Sequence, residues 1–149
     1  MAAPRASPLT FVSARDTAHA MSQDNVELAE TVYETLDRRD LDAFLALIHP
    51  EVEFRSLIAE SEGQAYRGHD GARAWWTEVL GSMGGLRWER EQIDTFRDWG
   101  VTRLRAVATI EGVEIPQTLW QAWGVRDGLI SWWEIYRTEA EALEAGRRE

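Results

Sequence analysis

The hydrophobic period of this chain changes once, and that change limits the folds that it can adopt. Over most of the chain before Gly84, apolar residues recur at steps of three and four, the spacing of a helix with one buried face. After Gly85 they alternate with polar residues, the spacing of half-buried strands. Helices first and a long run of strands afterwards predict an α+β domain with an antiparallel sheet.

The first part of the domain is predicted to hold three helices and one short strand. Ser22 can cap the first helix, and Asp40 the second. The second helix should stop at His49, because the residue before a proline avoids the helical region. A short strand is expected over 52–56, and a third helix from about residue 70 to 80, with Asp70 as its N-cap.

The second part is predicted to be an antiparallel meander followed by one helix. The dipeptides "WG", "EG" and "DG" mark the turns between strands. Thr138 and Glu141 have the spacing of a capping box, and Gly146 is expected to end the helix that follows. The four predicted strands cover 86–97, 101–110, 113–125 and 129–137.

Residues 1–20 differ in composition from the rest of the chain. They are rich in Pro, Ser, Ala and Arg and have no repeating apolar period. Their longest apolar stretch is too short for the core of a signal peptide, whereas a transit peptide has a similar composition. We expect a disordered leader over 1–20 and a single domain over 21–149, located in the cytoplasm.

Composition excludes several classes of function. The formal net charge is −10, and no basic stripe is visible, which argues against nucleic-acid binding and against an anionic membrane surface. All 16 basic residues are Arg, so no lysine can form a Schiff base. The chain has no Cys, and its 3 His residues are scattered. We therefore expect no metal site and no cofactor.

Three segments carry a resemblance to a known family: "NVELAETVYETLDRRDLDAFLALIHPEVEF", "YRGHDGARAWW" and "VRDGLISWWEIYRTEAEALEAG". In this order they resemble the SnoaL-like branch of the nuclear transport factor two-like superfamily, over about residues 21–146. The resemblance implies a cystatin-like roll, in which a curved antiparallel sheet forms a cone around N-terminal helices and encloses a deep pocket. It also implies a homodimer through the outer face of the sheet.

Strand parity predicts which residues line that pocket. The inner face is mostly apolar and aromatic, with Ser56, Gln117, Gln121 and Ser131 as its few polar points. Such a surface suits a small hydrophobic molecule that is held by a few hydrogen bonds, although the same aromatic residues could simply fill a core. The candidate ligand-binding residues are Tyr33, Phe54, Ser56, Gln117, Gln121, Trp123 and Trp133.

The catalytic patterns of the superfamily fit this chain poorly. The resemblance puts the general base of ketosteroid isomerases at Ser56 and their oxyanion-hole acid near Gln121. It puts the cyclase acid near Ile135, while Glu134 points the opposite way. No Asp or Glu is clearly inward in the strands, so no catalytic residue is assigned. Catalysis by Tyr33, Gln121 and a bound water stays open.

Three functions therefore remain. The leading hypothesis is a small-molecule-binding protein with a hydrophobic pocket. The alternative is a cofactor-independent cyclase, isomerase or hydratase that acts on a polyketide- or terpenoid-like substrate. The second alternative is a protein-interaction module on the outer sheet face, where aromatic and arginine side chains are typical of interfaces. The outer-face residues, which would equally form the homodimer, are Arg103, Arg105, Trp120, Trp132 and Tyr136.

Overall fold

The computed structural model describes residues 14–55, 66–82 and 86–148. Helices come first and the long strands follow, which confirms the predicted α+β class. The elements are α1 (Ala14–Arg38), α2 (Leu41–Ala46), β1 (Ile48–Phe54), β2 (Tyr66–Arg67), α3 (Gly68–Glu78), a 3-10 turn (Leu80–Ser82), β3 (Leu86–Phe96), β4 (Trp99–Ile110), β5 (Val113–Arg126), β6 (Leu129–Tyr136) and α4 (Glu139–Arg148).

The strands form one six-stranded sheet in the order β2-β1-β6-β5-β4-β3. Strands β3 to β6 make the predicted antiparallel meander. Strand β1, however, pairs parallel with β6. The sheet is therefore mixed, and the prediction of a purely antiparallel sheet is corrected. Parallel neighbours need a long connection, and the chain between β1 and β6 supplies one.

Two-residue turns close two of the three hairpins in the way that the sequence predicts. Glu111 and Gly112 both have positive φ angles, 52° and 80°, and so do Asp127 and Gly128, at 56° and 76°. This is the type I′ geometry, whose twist matches that of the flanking strands. The "WG" pair does not form a turn, because β4 already begins at Trp99.

Two helix boundaries in the N-terminal half differ from the prediction. Helix α1 begins at Ala14 rather than Ser22, so residues 14–20 of the expected leader are helical. Alanine and arginine favour helix without producing an apolar period, so the hydrophobic pattern could not predict that residues 14–20 are helical. Residues 1–13 lie outside the described residues, and a disordered leader there stays a prediction. Helix α2 ends at Ala46, and His49 is therefore not at a helix end.

The inner side of the sheet packs against α1, α2 and α3 through a cluster of aromatic rings. The ring of Trp133 is stacked on Phe54 with centroids 5.0 Å apart, and it meets Trp75 edge-on at 5.4 Å. Phe44 touches Phe54 and Trp75, each at 5.9 Å. Rings this close gain attraction beyond the burial of their area. This cluster is the main core of the domain.

The outer side is covered by α4, which packs with small residues. Ala142, Ala145 and Gly146 are buried, and a Cβ atom at Gly146 would overlap the ring of Trp99. A Cβ atom at Gly124 would likewise overlap Trp132. The predicted capping box is confirmed, but α4 continues past Gly146 to Arg148. Gly146 serves as a contact for an indole ring and does not end the helix.

Beyond α4, the outer face carries arginine–carboxylate pairs between neighbouring strands. Arg87 of β3 reaches Glu114 of β5 at 2.7 Å, and Val107 of the strand between them is buried. The paired register shifts between Arg90 and Gln92, so the intervening Glu91 is the extra residue of a β-bulge in the edge strand. Two further pairs lie on this face, Arg103 with Glu91 and Arg105 with Glu89.

Candidate ligand-binding site

The register of the meander defines which side chains face the helices. Trp88 pairs with Ala106, and Arg90 pairs with Leu104, so all four share the inner face. The same face of β4, β5 and β6 carries apolar or uncharged polar side chains only. Arg90 is therefore the one charged residue that the paired ladder of β3 to β6 places on the inner face.

A chain of four neighbouring polar side chains, which share two hydrogen bonds, runs through this apolar interior. The indole Nε1 of Trp123 donates to Thr102 Oγ1 at 2.9 Å. Thr102 lies next to Tyr33, whose pKa it lowers, and the Tyr33 hydroxyl donates to Gln121 Oε1 at 2.5 Å. All four side chains are buried. Gln121 ends the chain: its Oε1 accepts the bond from Tyr33, and its amide NH2 is a hydrogen-bond donor.

Burial raises the pKa of Tyr33 above its ordinary value, and this effect outweighs the opposing hydrogen bond from Thr102 and the charge of Arg90. The phenol therefore keeps its proton at neutral pH. It can donate a hydrogen bond to its neighbours, but it cannot act there as a base.

Arg90 lies beside this chain. Its guanidinium carbon is 5.4 Å from the centroid of the Tyr33 ring, within the range of a cation–π contact. The same guanidinium donates to Asp37 Oδ2 of α1 at 2.6 Å. The Asp37 side chain is 52% exposed and that of Arg90 is 25% exposed, so the pair stands between the buried polar chain and solvent.

The predicted pocket between the aromatic rings is not open. Tyr33 is stacked at 6.4 Å on Trp133, which in turn covers Phe54. The space that remains is too small to admit a water molecule; it is lined by Ala29, Val32, Tyr33, Trp123, Ile130 and Trp133. In this part of the cone the aromatic residues fill a core, the interpretation that the sequence left open.

An open apolar surface lies further along the same face of the sheet. Ile110, Val113 and Ile115 are 56%, 61% and 47% exposed. Gln117 is also exposed and Leu119 is half-buried. These five residues, which we name the distal inner face, lead along β4 and β5 towards Gln121. They provide the apolar contact area that the filled interior does not.

The structure brings five of the seven predicted site residues together. Four of them are Tyr33, Gln121, Trp123 and Trp133, and the fifth, Phe54, packs directly on Trp133. Their role as ligand contacts stays a prediction.

The other two predicted residues are not in that cluster. Gln117 is exposed on the distal inner face, because no described helix covers that end of β5. Ser56 lies outside the described residues. The predicted site omits Thr102 and Arg90. The alternation of β4 already showed that Thr102 points inward. The sequence of β3 does not alternate regularly, so the direction of Arg90 could not be inferred.

His49 and His69 have structural roles. His69 Nε2 donates to the carbonyl of Ile48 at 2.8 Å and so ties α3 to β1. The N-cap of α3 is Arg67, so the predicted cap at Asp70 is wrong; Asp70 lies in the first turn and pairs with Arg73.

His49 lies in β1, where its Nδ1 accepts from the backbone of Glu51 at 3.0 Å. Its Nε2 lies 3.2 Å from a carboxylate oxygen of Asp127 in the β5–β6 turn. Within the ranges that the structure describes, no group of three or more potential ligands could hold a metal ion.

The buried carboxylate of the last strand faces away from the site, as parity predicts. Glu134 lies on the outer face, where it accepts a hydrogen bond from the Tyr136 hydroxyl at 2.5 Å. Arg55 Nη1 lies 3.7 Å from the same carboxylate. The polar groups of the inner face are thus neutral donors and acceptors together with the single charge of Arg90.

The family follows from the sequence once this fold is in view. The model of the SnoaL-like domain matches residues 29–133, and the chain belongs to that family. Its fold is the nuclear transport factor two-like cone that the sequence resemblance implies. No curated protein matches the chain. Among the helices of the described residues, none is long and apolar enough to cross a membrane.

Solved structures share the fold at low sequence identity. TerC, co-crystallised with polyporic acid, has a TM-score of 0.66 and 21% identity over 83% of this chain and 98% of its own. A protein of unknown function from Burkholderia pseudomallei has a TM-score of 0.67 and 22% identity over 81% and 95%. A Mycobacterium tuberculosis protein in complex with estradiol-17beta-hemisuccinate has a TM-score of 0.64 and 14% identity over 78% and 95%.

Proposed function

We propose that this chain is a small-molecule-binding protein that recognises an aromatic or polycyclic ligand by a carbonyl or hydroxyl oxygen. The observation that carries the proposal is the chain of polar side chains that ends at Gln121 in an otherwise apolar interior. A core needs no such chain to be stable, since apolar side chains of the same shape do as well. A ligand oxygen that accepts a hydrogen bond from the Gln121 amide accounts for these buried polar side chains.

The ligand rings are proposed to lie on the distal inner face. Val113, Ile115 and Gln117 precede Leu119 on that face, and Gln121 is the next inner residue of β5. Leu119 and Trp88 are half-buried, so a rotamer change at these two residues gives a ligand access to the Gln121 amide. The rings of Trp123 and Trp133 stay in place as the floor of the site.

The fold neighbours support the same function. TerC was co-crystallised with polyporic acid, and the Mycobacterium tuberculosis protein was solved in complex with estradiol-17beta-hemisuccinate. Both names describe small organic molecules held on this fold. They support binding as the function of this chain without identifying its natural ligand.

Turnover is less well supported than binding. A cyclase, isomerase or hydratase without a cofactor needs a proton acceptor in the site. In the part of the chain that the structure describes, the inner face of the meander has no carboxylate or histidine, and burial raises the pKa of Tyr33. The groups at hand are hydrogen-bond donors, which suit recognition.

Two related naphthalene compounds test the binding function. Acetylnaphthalene carries a ketone oxygen, and isopropylnaphthalene has nearly the same shape without it. In calorimetric titrations the ketone should bind the wild type more tightly, and Gln121→Leu should weaken it by about 1 kcal/mol. The same change should barely affect the hydrocarbon. Gln92→Leu, which alters an exposed amide away from the site, is the matched control.

Two outcomes would contradict the binding function. Equal losses for the ketone and the hydrocarbon in Gln121→Leu would mean that the substitution only disturbed packing. Failure of both compounds to bind the wild type at their solubility limit would show that the filled interior and the distal inner face form no site.

The homodimer through the outer face and the cytoplasmic location also stay proposals. Helix α4 buries Trp132, which removes part of the apolar surface on which the dimer prediction rested. Trp120 and Tyr136 remain half-buried next to it. Sedimentation of the full chain tests the dimer, and a monomer at micromolar concentration would contradict it.

A further inference from the structure

The charge of Arg90 is out of place in a site for a neutral ligand. The ladder rows place Arg90 beside Leu104 and Leu119, and the next row places Thr102 beside Gln121. Arg90 and Gln121 therefore lie on the same face of the sheet, on the two strands that flank β4 and one row apart. Both side chains contact Tyr33: the guanidinium lies over its ring, and Gln121 accepts a hydrogen bond from its hydroxyl. A cation and a hydrogen-bond donor that are grouped in this way can hold the two oxygens of one acidic group.

The present partner of Arg90 can be exchanged. Asp37 is more than half exposed, and it belongs to α1 rather than to the sheet that holds the guanidinium. An exposed ion pair of this kind contributes little to stability. The contact with the Tyr33 ring leaves the guanidinium beside the polar chain when Asp37 turns away.

We propose that Arg90 selects for acidity in the ligand: the site takes an aromatic molecule with a carboxylate or enolate group. One oxygen of that group replaces Asp37 at Arg90, and the other accepts a hydrogen bond from the Gln121 amide. This inference rests on the proposed binding function and narrows its ligand class. A purely structural role, in which Arg90 only fastens α1 to β3, makes different predictions.

Naphthoate and acetylnaphthalene separate the two roles. They share the ring system and a carbonyl oxygen, and they differ in charge. In Arg90→Gln the affinity for naphthoate should fall about tenfold, the value of one charge-assisted hydrogen bond. The affinity for acetylnaphthalene should change less than about twofold. Arg90→Lys should give an intermediate loss of naphthoate binding, because it keeps the charge and loses the planar fork.

Asp37→Asn is the decisive variant. It breaks the same ion pair as Arg90→Gln, yet it frees the guanidinium, so naphthoate should bind more tightly by about threefold. A fastening role predicts weaker binding of both compounds in both variants. The thermal midpoint of each variant shows whether it is folded, and Arg103→Gln on the outer face is the matched control.

Each outcome decides between the ligand-selecting role and the structural role of Arg90. Opposite effects of Arg90→Gln and Asp37→Asn on naphthoate support the proposal. Equal losses for the two compounds in Arg90→Gln overturn it. If acetylnaphthalene binds the wild type and naphthoate does not, the binding function stands and the acidic ligand is wrong. If neither binds, both proposals are wrong.

Discussion

Two neighbouring tryptophans on β6 are buried by opposite means. Trp133 points into the cone and is surrounded by other aromatic rings. Trp132 points outward and is buried where side chains are missing: Gly124 lies beneath it, and Ala142 of α4 belongs to the same cluster. The inner face thus depends on the presence of large rings, and the outer face on the absence of Cβ atoms.

The two faces therefore differ in the size of substitution that each one tolerates. On the inner face a smaller side chain leaves a void, and on the outer face a larger one creates an overlap. Both are destabilising, yet they are provoked by substitutions of opposite size. A smaller residue on the inner face and a larger one on the outer face test this comparison. Substitutions of Tyr33 and Arg87 then test the polar contacts of the two faces.

The largest expected effect is at Trp133. Trp133→Ala should lower the free energy of unfolding by about 3–5 kcal/mol, because four neighbouring rings lose their partner. Urea unfolding followed by circular dichroism measures the change. A loss below about 1 kcal/mol would show that the rings can collapse into the space and that the inner face is not the main core.

The next effect is at Gly146. In an exposed helix Gly→Ala stabilises by roughly 0.5–1 kcal/mol, but here the new methyl group would meet the ring of Trp99. We expect Gly146→Ala to destabilise by about 1–3 kcal/mol. Glu144→Ala, an exposed change on the same helix, should stay within about 0.5 kcal/mol. A stabilising Gly146→Ala would mean that α4 is not held against the sheet.

Tyr33 gives a smaller and pH-dependent effect. At pH 7, Tyr33→Phe should cost about 1 kcal/mol through the lost hydrogen bond to Gln121. The pKa of Tyr33 is raised above 10.0 in the folded state, so the folded chain holds the phenol proton more tightly. The stability that the protonated phenol contributes to the folded chain is complete below about pH 10 and is lost as the pH rises further.

The wild type should therefore lose stability above about pH 10 more steeply than Tyr33→Phe does. Unfolding curves of the two proteins from pH 7 to about pH 11 measure the difference. Parallel curves would show that the phenol is not buried in the folded chain.

The smallest effect concerns the outer ion pair between Arg87 and Glu114. The hydrogen bond from Arg87 lowers the pKa of Glu114, so the pair contributes above the ordinary pKa of the carboxyl and is lost as the pH falls through the lowered value. Both side chains are more than half exposed, and solvent screens them. Arg87→Gln should lower the thermal midpoint slightly at low salt and not at all in 1 M salt. A large, salt-independent loss would mean that the pair does more than cover Val107.

The sequence predicts the strands of the meander well because the period of two continues through β4 and β5 and is interrupted in β6 only at Ser131, where the register shifts. It misses the parallel β1–β6 pair, since pairing across a long connection leaves no local pattern. It also misses the cover over the outer face. Ala142, Ala145 and Gly146 are small, and nothing in their spacing resembles a buried apolar stripe.

The candidate site was predicted in part for the same reason. Gln121, Trp123 and Trp133 alternate cleanly with outward residues, so their direction could be inferred. Arg90 could not be placed, because the bulge at Glu91 interrupts the alternation of β3. The size of the cavity could not be predicted either, since it depends on how rings from separate elements meet.

That bulge also affects how the molecule behaves at high concentration. Strand β3 is the long one of the two edge strands of the sheet, and an uninterrupted edge is a template on which another chain can add strands. Glu91 breaks the template in the middle and brings a charge that a second β3 would have to accommodate. Deleting this one residue would restore an even ladder. The edge strand would then lack one of the features that hinder pairing with another chain.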